Sequence, residues 1–138
     1  MIKHVLLIDD NTIDNYIAKT IISKRGAAAK TSVMISAIDA LEYLETLKNN
    51  SEEFPDAIFL DIQMPEMDGF GFLEEFKVFP ASIIAKTAVF MLTSSSDPED
   101  IKRSREYSVV KKYYSKPLNE RILNEVCENG FGGNVVAD

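Results

Sequence analysis

Five short apolar runs punctuate the chain, and polar residues follow each of them. They are His4-Val5-Leu6-Leu7-Ile8, Thr31 to Ile35, Ala57-Ile58-Phe59-Leu60, Ala88-Val89-Phe90-Met91-Leu92 and Lys111 to Tyr114. Their lengths and their β-branched and aromatic content predict strands. The uncharged first, third and fourth runs suit strands buried on both faces. The fifth starts on lysine, as edge strands often do.

Between these runs the apolar period changes to that of a helix. Ile13, Tyr16, Ile17 and Ile21 mark a helix over Thr12 to Lys24, capped by Asp10 or Asn11 and stopped by Gly26. Ile38, Leu41, Leu44 and Leu47 mark a second over Ala37 to Leu47. Phe72, Leu73 and Phe76 mark a third, which opens after the Asp68-Gly69 turn and ends at Phe79-Pro80. Gly71 inside it costs about 1 kcal/mol relative to Ala, for no reason visible in the sequence. The fourth helix starts at Pro98, a good first residue, and runs to about Glu106. It is strongly charged, with Ile101 and Tyr107 as its anchors, so it is free to shift. The fifth starts at Asn119 or Glu120 and runs to Glu128, with Ile122, Leu123 and Val126 inward. Lys48 to Pro55 form a polar loop. The expectation is one domain over residues 4–129 and a mobile tail over 130–138.

Five strand–helix pairs in strict alternation predict an α/β fold. Right-handed crossovers then give a parallel sheet with helices on both faces. In such sheets ligands bind outside the carboxyl ends of the strands. The first strand delivers Asp9 and Asp10 to that edge, the third Asp61, the fourth Thr93 and the fifth Lys116.

Charge sharpens this picture. Lys plus Arg number 15 and Asp plus Glu 22, a net charge of −7. That balance argues against direct nucleic-acid binding and suits a cation or a basic protein partner. A single cysteine, Cys127, and a single histidine, His4, build neither a disulfide nor a Cys/His metal cluster. Met1 to Lys3 lead straight into a strand without a signal peptide, and no apolar run approaches a membrane span. A soluble cytoplasmic protein is the expectation. Three converging carboxylates make a hard-oxygen site, which suits Mg²⁺. With a lysine and a hydroxyl alongside, this is the equipment for placing a phosphoryl group.

The chain resembles the receiver domains of two-component response regulators, similar to the chemotaxis regulator. The resemblance covers about residues 4 to 129. It rests on Ile8-Asp9-Asp10, Leu60-Asp61-Ile62-Gln63-Met64-Pro65, Met67-Asp68-Gly69, Leu92-Thr93-Ser94 and Ser115-Lys116-Pro117, in order at the strand ends. It implies a doubly wound, flavodoxin-like (βα)5 sandwich with strand order 2-1-3-4-5. It implies Asp61 as phosphoacceptor from a histidine kinase or histidine phosphotransfer protein. Mg²⁺ would be held by Asp10, Asp61 and the Gln63 backbone carbonyl, with Asp9 acting through water. Lys116 would bind Asp61 and then a phosphate oxygen. Thr93 would donate to another oxygen, helped by the Ser94 N–H, and Tyr113 would be a switch aromatic. Lys116-Pro117 would be a cis peptide.

The implied output is a protein target on the face of the fourth helix, fifth strand and fifth helix. A phosphorylation-dependent dimer is left open. Gln63 and Ser95 stand where family variation tunes autodephosphorylation. The chain reads as a stand-alone receiver or one cut from a longer protein, catalysing only its own phosphorylation and dephosphorylation. One alternative is a receiver-like binding module that acts without phosphorylation, although Asp61, Lys116 and the acidic pair are all present. Another is an aspartate-nucleophile phosphatase, but Gln63 stands where that class needs an acid. Asp68 reads as a turn residue.

Overall fold

The computed structural model describes residues 2–129. The elements run β1 (Ile2–Ile8), α1 (Thr12–Arg25), β2 (Ala28–Met34), α2 (Ala37–Leu47), β3 (Ala57–Leu60), α3 (Gly69–Phe76), α4 (Ala81–Lys86), β4 (Ala88–Thr93), α5 (Pro98–Ser104), β5 (Val110–Ser115) and α6 (Glu120–Asn129). The five strands form one parallel sheet in the order β2-β1-β3-β4-β5.

Strand alternation divides the core into two layers. Leu6, Ile8, Ile58, Leu60, Val89 and Met91 face one way, against α2, α3 and Ile83 of α4. Val5, Leu7, Ala57, Phe59, Ala88 and Phe90 face the other, against α1 and α6. A fully buried central strand is therefore apolar at every position, and β3 is. Ile8 pairs with Leu60, Leu60 with Met91, and Thr93 with Ser115. This register brings the carboxyl ends of β1, β3, β4 and β5 to one edge.

Two expectations are corrected. The second strand begins at Ala28 rather than Thr31, because Ile2 of β1 pairs with Ala28 and the Ile2 N–H donates to the Ala27 carbonyl. Sheet pairing here overrides the weak strand preference of Ala28-Ala29-Lys30. Strict alternation also fails once. α3 has ended by Phe76, and Pro80 caps the start of α4 rather than closing a helix. Proline fits either role, since its lost N–H is redundant at a helix start. The expected tail over residues 130–138 lies outside the described residues.

Candidate functional site

The site begins with backbone that continues the ladder past the strand ends. The Asp9 N–H donates to Met34 O at 3.2 Å, the Asp61 N–H to Ile8 O at 3.0 Å and the Lys116 N–H to Thr93 O at 3.0 Å. Each residue is thereby fixed against the neighbouring strand.

The start of α1 stitches the first loop down. The Asn11 side chain accepts from the N–H groups of Ile13 and Asp14, capping the helix. The buried Asn15 amide donates to Asp9 O at 2.8 Å, and the Asn11 N–H donates to Asp9 Oδ1 at 2.9 Å. Asp10 is left exposed at the rim.

The Asp61 loop is clamped by Gly69. Its N–H donates to Ile62 O at 2.8 Å, and a Cβ there would lie 2.5 Å from the Asp61 carbonyl oxygen. Only glycine permits that approach. Asp68 caps α3 by accepting the Gly71 N–H at 2.8 Å, the expected turn role. Gly71 now has an account, because a Cβ there would lie 2.7 Å from Met67 Cγ.

Asp61 is 5% exposed, accepts the Ile62 N–H on Oδ1 at 2.8 Å and faces Lys116 Nζ through Oδ2 at 3.2 Å. Carboxylate oxygens of Asp9, Asp10 and Asp61 all lie within 4.8 Å of one another. Lys116 Nζ also sits 2.7 Å from Asp9 Oδ2 and 2.7 Å from Asp14 Oδ2. Burial pushes the Asp9 carboxyl above its ordinary range and the Asp61 charge adds to this, against the pull of Lys116 and the Asn11 N–H. Burial disfavours the Lys116 ammonium, but Asp14, Asp9 and Asp61 outweigh it and hold Lys116 above its usual value.

Four of the expected residues thus converge: Asp9, Asp10, Asp61 and Lys116. Thr93 is fully buried at the end of the adjacent β4, where its hydroxyl oxygen accepts the Ser95 N–H at 3.2 Å. Tyr113 lies one step further out and donates from its hydroxyl to Ser95 O at 2.8 Å. Gln63 is exposed on the loop after Asp61. The Lys116-Pro117 peptide is cis, as expected.

Sequence reasoning missed Asp14, Asn15 and the hub role of Ser95. Asp14 carries one faint signal, its place in the first helical turn after a strand-end acidic pair.

The sheet order and the acidic pocket with its lysine define a flavodoxin-like α/β protein with its site at the carboxyl edge. Residues 5–128 match the model of the response regulator receiver domain, and the chain belongs to that family. It is 33% identical over 127 residues to "Sensor histidine kinase CheAY" of Helicobacter pylori, a match covering 92% of this chain and 15% of that protein. It is 28% identical over 144 residues to "Two-component response regulator ORR1" of Oryza sativa subsp. japonica, covering 96% of this chain and 61% of that protein. The chain therefore spans less than two thirds of either relative. Among solved structures, a two-component response regulator from Cytophaga hutchinsonii superposes with a TM-score of 0.83 at 33% identity, covering 89% of this chain and 92% of that one. A response regulator receiver protein from Dyadobacter fermentans gives 0.77 at 27% identity, covering 89% and 93%. Among the described residues, no helix is long and apolar enough to cross a membrane.

Proposed function

We propose that this receiver domain takes a phosphoryl group onto Asp61 from the phosphohistidine of a histidine kinase or phosphotransfer protein, in a Mg²⁺-dependent reaction. The observation that carries this reading is the setting of Asp61, a buried carboxylate between a backbone N–H and a lysine ammonium, beside two further carboxylates.

The donor set fits a hard cation, since three carboxylates offer oxygens within 4.8 Å of one another. Asp10, Asp61 and the Gln63 carbonyl would hold Mg²⁺, with Asp9 acting through water. When bound, the ion neutralises charge on the carboxylates and on the transferring oxygens. The remaining work falls to the chain. An Asp61 oxygen forms the new bond to phosphorus as the P–N bond of the donor breaks, and the electron pair stays on the imidazole nitrogen. Lys116 meets one phosphoryl oxygen. The Thr93 oxygen is engaged as an acceptor, so its hydrogen is free for another. Water later attacks phosphorus and returns the Asp61 carboxylate.

α1 supports the docking of the donor beside this pocket. Ile13, Tyr16 and Ile17 are 69%, 73% and 40% exposed, an apolar stripe at i, i+3 and i+4.

Phosphorylation replaces the single negative charge of the Asp61 carboxylate with a phosphoryl group carrying about −1.5 to −2. Drawing Thr93 inward strains its bond from the Ser95 N–H. Ser95 also accepts from Tyr113 and donates from its hydroxyl to Asp100 Oδ2 at 2.7 Å. The shift would reach α5, β5 and α6, the proposed contact face for a downstream protein, by changing populations rather than the fold. A cytoplasmic location goes with a kinase partner.

The test is acetyl phosphate with and without Mg²⁺, read by intact mass. A single phosphoryl adduct that needs Mg²⁺ and is missing in Asp61→Asn is the expected result. Folded protein that binds Mg²⁺ but forms no adduct would instead favour a binding module that works unphosphorylated.

A further inference from the structure

The Lys116 ammonium has three hydrogens, and three carboxylates compete for them. Asp9 Oδ2 lies at 2.7 Å, Asp14 Oδ2 at 2.7 Å and Asp61 Oδ2 at 3.2 Å. The longest contact is the one to the residue that must react. Asp14 stands outside the three-carboxylate cluster, and it reaches Lys116 from α1, 102 positions away in sequence.

We propose that Asp14 is a positioning residue that competes with the phosphoryl group for Lys116. It draws the ammonium toward α1 while Asp61 is unmodified and gives it up when phosphoryl oxygens form. The idea rests on the phosphoacceptor reading of Asp61.

Three features support it. The pair is partly withdrawn from solvent, with side-chain exposures of 13% for Lys116 and 30% for Asp14, so salt screens it less than a surface pair. Asp14 also lies in the first turn of α1, where the helix dipole favours a carboxylate even after Lys116 has left. Asp9 and Asp61 are called on by a bound cation, but Asp14 is not, so its hold on Lys116 persists in the loaded, unmodified site. Asp14 thus stabilises the resting arrangement over the modified one, and removing its charge shifts the balance toward modification.

The experiment uses the full chain at saturating Mg²⁺ with beryllofluoride as the phosphoryl mimic. Asp14→Asn is expected to tighten mimic binding about fivefold, within the range measured for coupled neighbours. Asp14→Glu, which keeps the charge, is expected to return affinity toward wild type. In a Lys116→Met background the effect of Asp14→Asn is expected to fall below about twofold, because the pair it acts through is gone. The Asp14 side-chain carboxyl carbon, followed by NMR in the unaltered chain, should shift as the mimic saturates. Unchanged affinity in Asp14→Asn, an equal gain in the Lys116→Met background or an unmoved Asp14 carbon signal would each overturn the proposal. The first leaves the receiver reading intact, and the second reveals a general field effect. Failure of the unaltered chain to bind the mimic would sink both.

Discussion

Gly69 shows how one missing side chain shapes the site. Its absent Cβ lets the start of α3 press against the Asp61 carbonyl. Gly69→Ala is expected to cost roughly 2–3 kcal/mol by overpacking and to slow Asp61 phosphorylation, read by denaturant midpoint and adduct rate. Gly26→Ala is the matched control. It meets open space, so its left-handed φ of 64° costs about 1 kcal/mol and leaves adduct formation unchanged. Glu66 carries the same kind of strain in the site loop. Its φ is 70°, and the Met67 N–H closes a three-residue turn onto Pro65 O at 2.8 Å.

His4 lies at the opposite end of the sheet and holds it together. Its Nδ1–H donates to Glu53 O at 2.8 Å, which leaves Nε2 to accept from the Ser32 hydroxyl at 2.8 Å. Burial depresses its basicity below the ordinary imidazole value of 6.5, against the pull of the Glu53 carbonyl. The neutral ring's stability is fully present above pH 6.5. Below it the unfolded chain takes the proton first, so stability falls with falling pH. NMR titration of this lone histidine should give a midpoint below 6.5. A midpoint at or above that value would contradict the assignment. The four strand-end residues were legible because each lies within two positions of the end of a strand-like run. Asp14 was not, because only the folded α1 brings it to Lys116.

At the scale of elements, α5 is held to the fold by few apolar contacts. Its charged sequence leaves Ile101 half-buried and Ser104 buried. The rest of its hold is aromatic and polar. Arg103 lies 4.3 Å from the Phe70 ring centroid, and the Tyr107 hydroxyl donates to Glu74 Oε2 at 2.6 Å. Tyr113 pins the loop before α5 through Ser95. Tyr113→Phe is expected to speed amide exchange in residues 94–97 and to leave the exchange of β1 and β3 unchanged. Equal exchange in both proteins would remove Tyr113 from the proposed switch. The long, strongly periodic elements could be read from the chain. α4 could not, because it has six residues, and Pro80 signals a stop as well as it signals a start.

For the whole molecule, two apolar layers hold a rigid sheet, and the polar residues gather at one edge of it. Three carboxylates held together repel one another, so a cation that binds only the folded site stabilises the fold. Mg²⁺ at 100 times its dissociation constant should contribute about 2.7 kcal/mol, a rise in Tm of roughly 5–10 °C. Asp10→Asn should abolish most of that rise, and the same rise in the variant would move the cation elsewhere.

Asp61 is the proposed carrier of the phosphoryl group. Borohydride reduces an acyl phosphate to an alcohol and so converts a phosphorylated aspartate to homoserine. Peptide mapping after acetyl phosphate, Mg²⁺ and borohydride should find homoserine at position 61 and nowhere else. Homoserine at Asp9, Asp10 or Asp14, or a phosphoryl group that survives on a hydroxyl or on His4, would contradict it.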